Sequence, residues 1–84
     1  PKNSVTVKAA KNIKSIVITC DKANDAIYNA SGDVSATNGK VNTNETVISI
    51  NDINNTETVI TNTSTTTGAP SQIRIVKLVI NYAE

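Results

Sequence analysis

The stretch Gln72 to Tyr82, QIRIVKLVINY, is the longest apolar run in the chain, and its reading decides the fold. Isoleucine and valine dominate it, neither glycine nor proline interrupts it, and Gly68-Ala69-Pro70-Ser71 precedes it as a loop. Those features predict a central β-strand. Ile13 to Cys20, IKSIVITC, answers Ile75 to Tyr82 residue for residue in pattern, so the two are expected to be neighbours in one sheet.

Both stretches are apolar on two faces. Alternation sets Ile16, Ile18 and Cys20 on one side and Ile13 and Val17 on the other; the last strand sets Leu78, Ile80 and Tyr82 against Ile75 and Val79. In a small two-layer protein each sheet buries one face and wets the other. The second face, Ile13, Val17, Ile75 and Val79, therefore predicts a cover: a loop of the same chain, a neighbouring domain or another copy of the molecule.

Working outward, Val5-Thr6-Val7-Lys8 alternates and reads as a first strand, separated from Ile13 by a tight connection at Ala9 to Asn12. Asp21 to Ser31 is polar and reads as a loop or one helical turn, with Ile27 and Tyr28 as its large anchors. Asp21, Asn24 and Asp25 carry the hard oxygen atoms that calcium uses, but lack the spacing of an EF-hand loop, and they read as solvated loop residues. With Tyr28 they make this the candidate ligand loop. Asn38-Gly39 predicts a hairpin turn within Val34 to Val41. Glu-Thr-Val-Ile occurs at Glu45 to Ile48 and again at Glu57 to Ile60, predicting strands over Thr46 to Ile50 and Thr58 to Thr63. Ser64 to Ser71 reads as a polar tip loop, a second place to look for binding.

Composition narrows the function. The chain has no histidine, one cysteine and three glycines, so general-base histidine chemistry, the usual zinc sites and a glycine-rich phosphate loop are all missing from it. Its carboxylates lie in or beside polar loops, and no catalytic activity, cofactor or metal is expected. Cys20 sits inside an apolar strand and reads as a buried, inert thiol. Residues 1–22 carry a net +4 and residues 23–69 a net −4, a split that permits one copy to dock on another. The basic residues have no interleaved aromatics, which argues against nucleic acid. No apolar run reaches the roughly 18 residues of a membrane-spanning helix. Four Asn-X-Ser/Thr sequons, at Asn29, Asn44, Asn54 and Asn62, follow from a composition with 12 asparagines and 19 serines and threonines, and are not read as evidence of glycosylation. Beginning at Pro1 and free of methionine, the chain reads as a processed or excised piece of a longer one.

The order Ser4-Val5-Thr6-Val7, then Ile13 to Thr19, then a polar middle, then Gln72 to Tyr82 resembles the C-terminal half of β-sandwich modules in secreted bacterial surface proteins. Such a module opens this half with a strand like Ile13 to Thr19 and closes it with one like Gln72 to Tyr82. Cys20 stands where those modules carry an aromatic, tryptophan is absent from the middle, and no functional residue carries over. The resemblance implies a preceding half-domain. The expectation is thus a single domain over residues 1–84, all-β, a small antiparallel β-sandwich of immunoglobulin-like or jelly-roll-like form with six or seven strands. Its expected function is a non-catalytic structural or adhesive module of a bacterial cell-surface or secreted protein. The alternatives are a carbohydrate-binding accessory module, with a glycan as partner, and a structural or decoration domain of a phage virion.

Overall fold

The computed structural model describes residues 3–65 and 68–83 of the 84. The fold is all-β and antiparallel, as the alternation predicts. Its spine is β1, Ser4–Cys20, a single strand of 17 residues. At about 3.3 Å per residue a straight strand of that length would run roughly 55 Å, yet the longest dimension of the molecule is 39 Å. β1 must therefore bend.

It bends through a bulge where the sequence predicts a break. The backbone stays in strand pairing through Ala9 to Asn12, and no connection interrupts it. Its register slips between Lys8 and Ile13 against one neighbour, and between Ile13 and Ser15 against the other. An extra residue in one strand changes which face the following side chains take. Val7 and Ile13 point inward before the slip between Ile13 and Ser15; Ile16, Ile18 and Cys20 point inward after it.

The other strands bend at the same place. β6, Val47–Asn51, and β7, Asn55–Asn62, lie end to end along one edge of β1, so that Ile48 pairs with Ile18 and Ile60 with Val5. The repeated Glu-Thr-Val-Ile thus marks one interrupted stave. Its corner, residues 52–54, uses left-handed backbone at Asp52 (φ 56°) and Asn54 (φ 48°), residue types that tolerate it. β4, Val34–Ala36, and β5, Lys40–Asn44, make the next stave: β4 pairs with β7 and β5 with β6. Asn38-Gly39 is therefore a corner and not a hairpin turn, because the segments it joins pair with the two halves of the neighbouring stave, β7 and β6, and not with each other. The Asn38 amide donates to the Glu57 carbonyl at 2.7 Å, and Thr58 Oγ1 donates to the Asn38 carbonyl at 2.8 Å, which ties this corner to β7.

β8, Ile75–Tyr82, pairs with the C-terminal half of β1, Val79 opposite Val17 and Ile80 opposite Ile16. The expected adjacency of the two apolar stretches holds. Their ranks are reversed, however: β1 is the central strand and β8 an edge, with β1 as its one partner among the described residues. The result is a six-stranded sheet folded over into a nearly closed, barrel-like form. One arm holds β4, β7 and the first half of β1; the other holds β5, β6, the second half of β1 and β8. Between them sits a core made almost wholly of isoleucine, with Ile13, Ile16, Ile48 and Ile50 fully buried. A two-residue ribbon, β2 (Lys22–Ala23) with β3 (Ala26–Ile27), and short 3-10 turns at Ala30–Gly32 and Ala69–Ser71 close one end.

Candidate functional site

Because β8 is an edge, the arm facing it has no strand to cover it. The space left is a groove of about 310 Å³ on the open side of the fold. Val5 and Ile60 from one arm and Ile18, Ile75 and Leu78 from the other make its walls, and Asn3, Asn62 and Gln72 its polar end. Asn62 is itself buried and structural. Its amide donates to the Ser71 carbonyl at 2.8 Å and its Oδ1 accepts the Ser64 N–H at 2.9 Å, which pins the segment leading into β8 against β7. The Asn29 amide is engaged likewise, donating to the Glu45 carbonyl at 2.8 Å. Of the four sequon asparagines, Asn44 and Asn54 are exposed.

β8 presents its apolar surface on both sides. Val76 is 61% exposed, Ile75 39%, and Leu78 and Val79 37% each. The expected interface quartet is divided by the bulges. Val17 and Val79 do stand together on the outer face. Ile13 does not join them: it is wholly buried in the core, because the slip at Ile13/Ser15 turns it inward. Ile75 is also removed from that face, since a second slip between Thr19 and Cys20 sets it opposite Cys20 and into the groove wall. Alternation alone gave no sign of either slip. The groove residues Val5 and Leu78 carry no signal of a groove in the sequence, because alternation reports a strand's face and not whether another strand lies over it; two-sided apolarity did mark the strand that forms the wall.

The candidate ligand loop is also only partly gathered. Asp21 and Tyr28 meet through the backbone, the Tyr28 N–H donating to the Asp21 carbonyl at 3.0 Å. Arg74, which the sequence did not single out, completes the group. Its guanidinium lies 4.2 Å from the centre of the Tyr28 ring and 3.9 Å from the Asp21 carboxylate. One face of the aromatic platform is thus occupied by the molecule's own cation. Asn24 and Asp25 form the exposed turn between β2 and β3, where Asn24 has φ 56°. Among the described residues no three Cys, Asp or Glu side chains gather into a group that would hold a metal. Of the tip loop, Thr66 and Thr67 lie outside the described residues; Ser64 and Ser71 are buried beside Asn62.

Cys20 is 3% exposed, and burial pushes its thiol above the ordinary value of 9.0. A raised thiol favours the fold while it stays protonated. That contribution is whole below pH 9.0, the unfolded thiol's value, and is lost as the pH climbs from there through the folded value. The native thiol is expected to react with a thiol reagent at least about 100-fold more slowly than in urea-unfolded chain, as a labelling time course at pH 8 would read. Labelling at similar rates in both states would place Cys20 at the surface.

Among the described residues no helix is long and apolar enough to cross a membrane. Comparison with known protein families, with curated proteins and with solved structures finds no match.

Proposed function

We propose that this chain is a non-catalytic structural or adhesive module, a small β-sandwich in the sense that the two arms of its folded sheet face one another, serving in a bacterial cell-surface or secreted assembly. The observation that carries the reading is β8. An edge strand that exposes Ile75, Val76, Leu78, Val79 and Tyr82 between 37% and 61%, over both of its faces, is a contact surface, because so many exposed large apolar residues on one eight-residue strand are more than scattered single residues give. The surroundings support a passive role. The one cysteine is buried, and the Asp21 carboxylate is engaged within the molecule, by the Lys22 N–H and by the Arg74 guanidinium. The composition, with 12 asparagines and 12 threonines spread over strands and turns, suits a domain that faces solvent and other protein more than a reacting substrate. Glycan recognition is the weaker reading, since the guanidinium of Arg74 already covers one face of Tyr28.

The test is the solution mass of the chain over a concentration series, by sedimentation, for the wild type and for Val79→Lys. Val79 is 37% exposed, so the change should cost the fold less than about 1 kcal/mol. Self-association by the wild type that Val79→Lys weakens at least about tenfold supports the module. A monomer at every concentration, unchanged by the substitution, removes the support that β8 gives.

A further inference from the structure

We propose that the partner of β8 is β8 of a second copy, added edge to edge about a two-fold axis so that two folded sheets run into one; the inference rests on the module reading above. The unpaired edge of a strand offers a row of backbone donors and acceptors to any incoming strand, and what decides the partner is the fit of side chains and charge. The opposite edge of this sheet, β5, reads KVNTN and exposes Lys40, Asn42 and Asn44, so it has no apolar row to set against β8. β8 itself does.

Side chains directly opposite in an antiparallel pair share a face, and a slip of one residue would turn apolar rows to the wrong side, so only even shifts are allowed. A two-fold axis at Leu78 sets Leu78 against Leu78 and Val76 against Ile80, with Lys77 against Val79 between them. The single charge of the strand then meets no like charge. The neighbouring register, with Lys77 against Lys77, is penalised by repulsion. The one lysine that guards this edge from indiscriminate pairing thus also selects its register.

The contact is not made by backbone alone. The exposed apolar residues of β8 are spread over both faces of the strand, and edge pairing sets them beside side chains of the second copy, which adds apolar contact on each face to the paired backbone. Closed two-fold pairing also uses up the edge, so association stops at the dimer.

Leu78→Cys tests the register. Opposite residues at the axis lie about 5.5 Å apart at Cα, within the reach of a disulfide. Under mild oxidation Leu78→Cys is expected to give a covalent dimer, while Asn42→Cys on β5 and the wild type with its buried Cys20 stay monomeric on a non-reducing gel. Should Leu78→Cys fold poorly, a mixture of Val76→Cys and Ile80→Cys chains is expected to give the mixed dimer in preference to either homodimer. In the wild type, β8 amides should exchange with solvent at least about tenfold more slowly at concentrations where the dimer forms than where it does not. Uncrosslinked Leu78→Cys, together with β8 amides indifferent to concentration in a chain that still self-associates, overturns the edge pairing and leaves the module reading standing. A chain that is monomeric throughout takes down both.

Discussion

Gly39→Ala is expected to lower stability by about 2–5 kcal/mol, a large share of what holds together a domain of this size. The position combines two constraints. Its backbone has φ +104°, which L side chains rarely adopt, and a Cβ placed there would lie 2.7 Å from Ile50 Cγ2, 2.8 Å from Ile53 Cγ1 and 3.0 Å from the Asn51 carbonyl oxygen. Ile50 and Ile53 are buried, so neither can swing into solvent to make room. The corner of the β4/β5 stave must then move off the corner of the β6/β7 stave, against which it packs. Gly32 supplies the control. It also has positive φ, +82°, but a Cβ there would meet nothing within 4 Å, so Gly32→Ala should cost only the conformational share, about 1 kcal/mol. Urea midpoints for the two variants separate the effects. Equal midpoints would mean that the Asn38-Gly39 corner does not pack against Ile50 and Ile53.

That contact between corners is what the sequence conceals. Alternating aliphatics made the all-β class legible, and the matched patterns of Ile13 to Cys20 and Ile75 to Tyr82 made their adjacency legible, since hydrophobic alternation reports a strand and its buried face. Corners leave weaker marks. Asn38-Gly39 is a strong turn signal, but turn chemistry reports a local change of direction and not which strands meet beyond it. The bulges of β1 leave no mark at all: Ala9 to Ser15 contains no glycine, proline or aspartate, and its lysines and asparagine sit as readily in an edge-guarded strand as in a loop. The site was legible to the same extent. Two-sided apolarity marked β8 as apolar on both faces, and both faces do expose apolar side chains, whereas assignment of residues to those faces depended on a parity that the bulges change. Arg74 carries no such signal, because a lone arginine in an apolar strand pattern says nothing of the tyrosine 46 positions earlier over which it stacks.

The substitution that separates the two parities is Ile13→Lys. Unbroken alternation places Ile13 beside Val17 and Val79, and on that reading a lysine there would leave the fold intact and weaken association, as is expected of Val79→Lys. The observed position is different in kind. Ile13 is 0% exposed, packed in the isoleucine core where β1 crosses from one arm to the other, and strand-paired with Asn55 on one side and Tyr82 on the other. An ammonium group at that point has no carboxylate among the core residues to meet it. It must either lose its proton, drag the corner open to reach water, or remain charged in an apolar interior, and each course costs several kcal/mol. Removal of the isoleucine from the core adds a loss of its own, about 2–5 kcal/mol for a large aliphatic side chain. The sum reaches the whole stability of a small domain. Ile13→Lys is therefore expected to be unfolded at 25 °C and neutral pH, with a disordered-chain circular dichroism spectrum and no cooperative urea transition, while Val79→Lys keeps both. A folded Ile13→Lys that differs from the wild type only in its association would restore unbroken alternation through β1 and with it an outer face that includes Ile13.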